Sequence, residues 1–367
     1  MDRIPVHGTP LARGRQYGQL ASARIQRSIA AYREVFEKRA GLPWNDAVEH
    51  ARMFIAPIED FLPEALHEMR GIAEGAGVPF ETILALNCRS ELMFAAARER
   101  GETPPSECTS FAVAPEASAG GHMLLGQNWD WVPFARDLCV LLEVQRDDKP
   151  SFATIVEAGL LAKVGMNSAR FGLCTNTLVS ERDTNRAGVP YHVMLRRLLD
   201  SETVADAERI LGSAERAMSA NYLVADRSGG AVNFETTAGG TEGIYATRPQ
   251  NGLLAHTNHF VSPAFAPIDA YLARSPHSLT RLSDMWQGLR ASETLSVRQL
   301  QNVLRSHEHA PTGICGHPDP AAPPLYARCT VASFVADLTA GEFWFTDGPP
   351  CASAYEAYDF AAHAERA

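Results

Sequence analysis

The hydrophobic pattern of the chain changes its period once, close to residue 107, and this change restricts the fold more than any other feature. Before it, apolar residues recur every three or four positions, as in amphipathic helices. After it, short apolar runs separated by glycine-containing turns predict strands, with helical stretches at 191–211 and 267–305. Because the strands do not alternate regularly with helices, the pattern does not predict the repeated βαβ units of a parallel sheet. We therefore expect an α+β layered sandwich.

The first part of the chain is predicted to be helical from Pro10 to about Arg100. One helix is expected at 21–40, a second at 45–69 with a break near Pro57 or Pro63, and a third at 79–97. The glycine-rich segment 71–77 should end the second helix. Residues 98–106, with Gly101 and two prolines, predict an exposed linker that leads directly to Cys108.

The second part of the chain contains the predicted strands, and the segment 311–324 between the last helical stretch and the last two strands is predicted to be a loop. A helix at 204–211 is expected to be capped by Ser201 or Thr203. The strands are predicted at 109–114, 123–126, 138–144, 152–157, 165–168, 172–176, 222–225, 231–235, 243–245, 253–257, 330–337 and 342–346.

Composition excludes several classes of protein. With 367 residues, 46% of them hydrophobic, the chain is long enough for one large or two medium domains around a sizeable core. Its 33 basic and 43 acidic residues form no basic stripe, so we expect no nucleic-acid partner. No apolar run approaches the ~20 residues that span a bilayer, so we expect no membrane partner. Seven dispersed cysteines without a Cys-x-x-Cys pair favour a reducing compartment, and we predict a cytoplasmic protein.

Cys108 stands at the start of a predicted strand, where a thiol is either an inert core residue or a nucleophile. A nucleophilic thiol needs a base. The histidine in its flanks is His122, which lies in a Gly-Gly-His turn, and a papain-type site would have a helix after the cysteine. The other possible base is an α-amino group, whose pKa near 8 suits a general base at neutral pH. That base requires cleavage of the bond between Glu107 and Cys108.

Five short motifs around and after this cysteine resemble those of the isopenicillin-N acyltransferase family of N-terminal-nucleophile hydrolases. The motifs occur in the family's order, and the upstream segments GIAEGAG at 71–77 and LNCRSE at 86–91 resemble its propeptide-derived subunit, so the likeness covers nearly the whole chain. The five motifs are CTSF at 108–111, GQNWD at 126–130, GMN at 165–167, TN at 175–176 and HTNHF at 256–260.

The resemblance implies a fold, a processing event and a catalytic set. The fold is a four-layer αββα sandwich with Cys108 at the end of a central strand. The Cys108 thiol would attack the Glu107 carbonyl, which divides one structural domain into a helical α-subunit, 1–107, and a β-subunit, 108–367. The freed amine would then assist the thiol on an external amide or thioester.

The resemblance also assigns roles to other residues. Asp130 would bind and orient the new amine, whereas a bare sequence argument makes it a turn residue. Asn258, through its side-chain amide, and Asn176, through its backbone amide, would stabilise the oxyanion, although asparagine in such loops is also a common turn residue. Weaker candidates for substrate binding are Gln127, Asn128, Tyr222 and Arg328, the last as a partner for a carboxylate.

Two rival sites are weaker. His307, His309, Cys315 and His317 are zinc-type ligands within eleven residues. Their spacing matches no zinc motif, so we expect a polar loop there and predict no metal. The glycine-rich segments 71–77 and 229–230 do not follow a strand in the form that binds phosphate, so we predict no nucleotide and no other cofactor.

The sequence therefore predicts a self-processing zymogen of a thiol amidohydrolase that cleaves a small N-acyl or aminoacyl compound. Hydrolysis is favoured because water needs no second pocket. One alternative is an acyltransferase that passes the acyl group from a thioester or amide to an amine. Another is an unprocessed, non-catalytic ligand-binding protein. The expected partners are a small-molecule substrate and the cleaved N-terminal subunit, and self-association is left open.

Overall fold

The computed structural model describes residues 1–100 and 107–360, and over these ranges the chain forms two β-sheets flanked by helices. The two sheets face each other, because the strand Glu107–Val113 of one contacts the strand Phe171–Thr177 of the other, and helices cover both outer sides. The predicted α+β sandwich is therefore confirmed. Of the predicted linker at 98–106, residues 101–106 lie outside the described residues.

The helices fall where the apolar period predicted them, with differences at their ends. The predicted helix at 21–40 is confirmed, with its last turn as a π-helix at Val35–Ala40. The predicted helix at 79–97 is two helices that meet at Cys88. Thr203, and not Ser201, caps α9 through a capping box. The α-helices are α1 Pro10–Leu20, α2 Ser22–Glu34, α3 Trp44–His50, α4 Ile55–Phe61, α5 Pro63–Ala76, α6 Phe80–Asn87, α7 Arg89–Glu99, α8 Tyr191–Leu198, α9 Val204–Gly212, α10 His277–Leu289 and α11 Val297–Leu304.

All predicted strands are present, and two short ones at the ends of the chain were not predicted. These two are β1 and β14, each at the edge of a sheet. The strands are β1 Asp2–Val6, β2 Glu107–Val113, β3 Leu124–Trp131, β4 Cys139–Val144, β5 Phe152–Glu157, β6 Val164–Asn167, β7 Phe171–Thr177, β8 Ala220–Asp226, β9 Ala231–Thr236, β10 Ile244–Thr247, β11 Leu253–His256, β12 Cys329–Asp337, β13 Glu342–Asp347 and β14 Glu356–Asp359.

Strand order places the start of β2 inside a sheet. The eight-stranded sheet has the order β1-β4-β5-β6-β7-β8-β9-β10, and β1 joins it parallel to β4. The six-stranded sheet has the order β11-β2-β3-β12-β13-β14. β2 lies between β11 and β3, and its first residues, 107–109, pair with the antiparallel strand β3, whereas β11 pairs with residues 110–113. A residue at this position is fixed by the sheet and not by a loop.

Side chains of β2 alternate between two environments. Cys108 and Ala112 belong to the core between the sheets, whereas Phe111 and Val113 pack in a second cluster with residues of α10 and α11. The fold thus directs the Cys108 thiol into the space between the two sheets. The next residue, Thr109, points to the helix-covered face.

Glycine in the first part of the chain serves helix packing. The segment 71–77 ends a helix as predicted, but only at its last residue: α5 continues through Gly71 and Gly75 to Ala76, and Gly77, with φ of 69°, ends it. A Cβ on Gly71 would lie 2.3 Å from the Leu11 carbonyl oxygen of α1. The two helices approach closely because neither has a side chain at the crossing.

In the described part of the chain, none of the helices combines the length and the apolar character required to cross a lipid bilayer.

Candidate active site around Cys108

Cys108 is sealed inside the folded chain. Its exposed fraction is 1%, and burial raises the pKa of its thiol to about 11, although the positive charge of Lys163 acts in the opposite direction. At neutral pH the sulfur is therefore a thiol, and it must lose its proton before it can attack a carbonyl. The site needs a base as well as a nucleophile.

The backbone nitrogen of Cys108 is held by a side chain. Its N–H donates to Oδ1 of Asn258 over 2.7 Å, and the same oxygen accepts from Arg281 over 3.1 Å. Nδ2 of Asn258 donates to the carbonyl oxygen of Thr177 at 3.0 Å. Asn258 thus lies beside Cys108, and in the continuous chain it contacts the Cys108 nitrogen through its oxygen. The oxyanion role stays a prediction.

Arg281 is a buried residue of this site that the sequence analysis missed. Its guanidinium donates to the Cys108 carbonyl oxygen over 2.6 Å and to the Thr109 hydroxyl over 3.1 Å. The sequence signal for this residue was its position on the apolar face of α10. The buried residues of that helix are Ser278, Arg281, Met285 and Leu289. A charged residue on an apolar face needs a buried partner, and here the partners are main-chain and side-chain oxygens at and next to Cys108.

Lys163 and Tyr191 form a second unpredicted group, on the side of the thiol. The Lys163 ammonium donates to the Tyr191 hydroxyl over 2.9 Å, and that hydroxyl lies 2.8 Å from the hydroxyl of Thr175. Burial lowers the pKa of Lys163 to about 8, while the neighbouring Cys108 raises it. The sequence signal was a lysine within the apolar segment 160–164, in a chain that has three lysines.

Removal of the Lys163 charge should make the thiol harder to ionise. We expect Lys163→Met to raise the pKa of Cys108 by about one unit or more, because a nearby positive charge favours the thiolate. The pH dependence of Cys108 alkylation by iodoacetamide, quantified on the Cys108 peptide by mass spectrometry, measures the shift. The control is Lys38→Met, since Lys38 is exposed and paired with Glu34. Equal midpoints in wild type and Lys163→Met would contradict a coupling between the two groups.

Asp130 lies on the neighbouring strand, paired with Glu107 across the β2–β3 ladder. Paired residues point to the same face, so its carboxyl shares a face with Glu107 and not with the Cys108 thiol. Oδ1 accepts from the Thr330 hydroxyl at 2.6 Å, and Oδ2 has no hydrogen-bond partner among the described residues. Burial raises the pKa of Asp130 to about 7, against the lowering effect of Arg281. The predicted contact with the Cys108 nitrogen is made by Asn258 in the uncut chain, and the role of Asp130 stays a prediction.

Glu107, the residue before Cys108, has its carboxylate in a pocket with Arg328 and His277. Arg328 and His277 both contact Oε1, and Glu107 is only 3% exposed. Burial alone would raise the pKa of Glu107, but Arg281, His277 and Arg328 outweigh it and lower the pKa. Arg328, predicted as a partner for a carboxylate, therefore holds one that belongs to the chain itself.

The remaining candidates lie in the same core but have other contacts. Both ends of the Gln127 amide bond the backbone of Thr175 at 2.8 Å, which joins β3 to β7 of the other sheet. Asn128 donates to the carbonyl oxygens of Leu304 and Ile314 at 2.8 and 2.9 Å, so it supports the loop after α11. These contacts hold both amides against the protein backbone and do not direct either amide towards a substrate.

Asn176 and Tyr222 are both buried in the eight-stranded sheet. The side-chain oxygen of Asn176 accepts from the Ser110 hydroxyl over 2.7 Å, which links it to β2. Its backbone is paired with Asn221 in the β7–β8 ladder. Tyr222 packs its ring 6.2 Å from the ring of Tyr191, within the core. Their proposed roles stay predictions.

Comparison with known proteins identifies the family. The family model described as acyl-coenzyme A:6-aminopenicillanic acid acyl-transferase matches residues 117–310, which is more than half of the chain. The chain belongs to this family. The acyl-transferase family match includes Asp130, Asn176 and Asn258, and it begins after Cys108. The predicted family is thus confirmed, and the chain is an enzyme of the class that performs acyl transfer or amide hydrolysis.

Individual relatives are distant. The 40 kDa form of acyl-coenzyme A:6-aminopenicillanic-acid-acyltransferase from Emericella nidulans is 26% identical over 261 residues, which cover 71% of this chain and 69% of that protein. Protein dcd1A of Dictyostelium discoideum is 26% identical over 247 residues, and the match covers 59% of this chain and 54% of that protein. Among solved structures, penicillin V acylase from Agrobacterium tumefaciens has a TM-score of 0.46 at 15% identity, over 69% of this chain and 86% of that chain.

Proposed function

We propose that this protein is a self-processing N-terminal-cysteine enzyme that hydrolyses the amide bond of a small N-acyl compound. The observation that carries the proposal is the contact between the Cys108 nitrogen and Asn258 beside a buried thiol. Once the chain is cut before Cys108, that nitrogen is an α-amine, and Asn258 is placed to orient it. An α-amine titrates near pH 8 in its unperturbed state, so it can take the proton of the thiol at neutral pH.

The buried state of Cys108 supports self-processing as the first reaction. With 1% of the residue exposed, the amide bond in reach of the thiol is its own, between Glu107 and Cys108. The sulfur attacks the Glu107 carbonyl carbon, the C–N bond breaks, and the acyl group moves from nitrogen to sulfur while the nitrogen gains a proton. Water then hydrolyses the thioester, which leaves a carboxylate on Glu107 and a free thiol on Cys108. The products are an N-terminal subunit, 1–107, and a catalytic subunit, 108–367.

Turnover repeats this chemistry on an external substrate. The amine accepts the thiol proton, the sulfur attacks the substrate carbonyl, and the leaving amine takes a proton as the acyl-enzyme forms. Water resolves the acyl-enzyme in hydrolysis. The alternative, transfer of the acyl group to an amine, is supported by the family description and by the name of the Emericella relative. Both outcomes share one intermediate on Cys108, and we expect the enzyme to act in the cytoplasm.

The pocket around Glu107 favours a substrate whose acyl part is anionic. In the uncut chain Glu107 is on the acyl side of the bond to be broken, and its carboxylate contacts Arg328 and His277. Departure of Glu107 would leave Arg328 and His277, with the Arg281 guanidinium close by, facing the space that Glu107 occupied. A carboxylate on the acyl group of a substrate would take its place.

The test combines mass and turnover. Intact-mass measurement of purified wild-type protein should give two chains separated at the bond between Glu107 and Cys108. With an N-acyl substrate, acid quenching should trap an acyl group on the Cys108 peptide, and added hydroxylamine should divert it to a hydroxamate. An intact chain without acylation of Cys108 would favour the non-catalytic ligand-binding alternative. An intact chain that still hydrolyses amides would require a base other than the α-amine.

Arg328→Gln tests the anionic pocket. We expect KM to rise about 10- to 100-fold for an acyl group that carries a carboxylate, because a charge-assisted hydrogen bond is lost, with kcat little changed. A neutral isosteric acyl group should show no such rise. The matched control is Arg290→Gln, because Arg290 stacks on Trp286 at the end of α10. Equal losses for anionic and neutral substrates would assign Arg328 a structural role.

A further inference from the structure

Four metal-ligand side chains converge at the end of the six-stranded sheet. They come from three separate segments, since His307 follows α11, Cys315 and His317 precede β12, and Cys351 follows β13. Their ligand atoms all lie within 4.8 Å of one another. Cys315 is buried, His317 is partly buried, and the other two are exposed, so the cluster is at the surface with one side in the core.

Three distances in this cluster, all from Nε2 of His317, are close to the edges of a zinc tetrahedron. Zinc bonds of about 2.0–2.1 Å to nitrogen and about 2.3 Å to sulfur place two nitrogens about 3.3 Å apart and a nitrogen and a sulfur about 3.6 Å apart. Nε2 of His317 lies 3.1 Å from Nε2 of His307. It also lies 3.7 Å from Sγ of Cys315 and 3.4 Å from Sγ of Cys351. The three edges at His317 are therefore compatible with a bound Zn²⁺, and the other ligand atoms lie within 4.8 Å of one another.

Hydrogen bonds at Nε2 of His317 account for only part of this arrangement. Nε2 of His317 meets one nitrogen and two sulfur atoms at these distances. An imidazole nitrogen carries at most one proton or one lone pair, so it can satisfy one of the three contacts. A cation at the centre of the cluster satisfies all four ligands at once. We propose that His307, Cys315, His317 and Cys351 bind one Zn²⁺ in a closed structural site.

The donor set accounts for the choice of metal and for the charge. Two sulfur and two nitrogen ligands in a tetrahedron are typical of structural zinc. On binding, the two thiols release their protons to solvent, and the two thiolates neutralise the charge of Zn²⁺. All four positions are filled by protein, so the ion has no open position for a substrate or water. The site would stabilise the fold and would take no direct part in catalysis.

This set differs from the one that the sequence presented. His309 belongs to the same short stretch as His307, but its ring contacts Asp284 at 2.9 Å, outside the cluster. Cys351 takes the fourth position from a segment far along the chain, which explains why no zinc spacing was recognisable. The expectation of a polar loop without metal is replaced by this proposal.

The site would hold the loop that supports Asp130. Gly316, between two of the ligands, donates its N–H to the Thr330 hydroxyl over 2.9 Å, and its carbonyl oxygen accepts the Thr330 N–H over 3.0 Å. The Thr330 hydroxyl donates to Asp130 over 2.6 Å. Zinc would thus fix the loop at 315–317 and, through Thr330, the orientation of the Asp130 carboxyl.

Metal analysis of the purified protein tests the proposal. The full chain, expressed with zinc in the medium, should contain about one zinc per chain by plasma mass spectrometry. Replacement by Co²⁺ should give the visible bands of a tetrahedral ion together with a thiolate-to-cobalt band. His317→Gln and Cys315→Ser should each lose the metal and melt at lower temperature. His309→Gln, a histidine of the same segment outside the cluster, should keep it, as should Cys108→Ala.

Four results would overturn the proposal. The first is wild-type protein that takes up no zinc in titration although all its thiols are free. The second is a disulfide between Cys315 and Cys351, seen as a loss of two hydrogens in the intact mass. The third is equal loss of zinc from His309→Gln and His317→Gln. Loss of zinc in Cys108→Ala alone would place the ion in the active site instead.

Discussion

Cys108→Ala is expected to accumulate as one uncut chain, whereas the wild type yields the two subunits 1–107 and 108–367. Without the sulfur, the acyl group of Glu107 has no acceptor, and the peptide bond keeps its ordinary stability. Amide turnover should fall to background, because the same sulfur forms the acyl-enzyme. Intact-mass measurement and an amide hydrolysis assay give both readouts from one preparation.

Two further measurements separate self-cleavage from other causes. Cys108→Ser keeps a weaker nucleophile, so we expect slow cleavage at the same bond. Cys108→Ala mixed with processed wild type should stay intact, because the bond is buried in its own chain. Cleavage of Cys108→Ala, whether alone or mixed with processed wild type, would point to a protease and would exclude the N-to-S acyl shift. An unchanged melting temperature and circular dichroism spectrum would show that the alanine variant is folded.

Asn258→Ala is expected to lower kcat by about 10²-fold or more with a much smaller effect on KM, as for a lost oxyanion donor. The structure shows two functions of the Asn258 side chain that the alanine variant would lose. Oδ1 of Asn258 orients the Cys108 nitrogen, and the NH₂ group has two donors, of which one is taken by the Thr177 carbonyl oxygen. The second donor is available for an oxyanion. Steady-state kinetics on the processed enzyme measure the effect.

Asn258→Asp and Asn167→Ala complete this test. Aspartate keeps the acceptor for the amine but adds a negative charge that raises the pKa of the α-ammonium, so the pH profile of kcat/KM should move to higher pH. Asn167 has an equally buried side-chain amide, which donates to the carbonyl oxygens of Leu199 and Ser201 and makes no hydrogen bond to Cys108. Asn167→Ala should lose stability and keep the kcat of the folded enzyme. Equal loss of kcat in both alanine variants would remove the oxyanion role from Asn258.

Local pattern predicted much of the fold, and long-range pairing accounts for the part that it missed. β12 has nine consecutive buried residues, so its apolar run was recognisable without knowledge of its partners. β1 has three changes between exposed and buried residues within only five positions, and it becomes a strand because β4, which lies far along the chain at residues 139–144, pairs with it. Gly71 lies within a helix because α1 approaches it, which no local rule for glycine contains.

The candidate site shows the same division. Cys108 and Asn258 belong to recognisable motifs, and the fold brings them into contact. Lys163 and Arg281 belong to no motif, and each is surrounded by residues that would suit an ordinary core strand or helix. Their positions were marked only by charge on an apolar face, which sequence alone cannot distinguish from a side chain whose charged end reaches solvent. Cys351 needed the fold to bring it to His317.

The parallel pairing of β1 with β4 affects how the processed protein would refold after denaturation. A cut before Cys108 would place β1 and β4, which pair at one edge of the larger sheet, in two different polypeptides. The buried ion pair of Arg89 with Glu157, at 2.5 Å, would also join the two polypeptides. Loss of one member of such a pair costs about 3–5 kcal/mol, so the subunits should separate only on unfolding. Refolding would then require two chains to meet. The protein would fold once as a single molecule, and its later recovery from denaturation would depend on concentration.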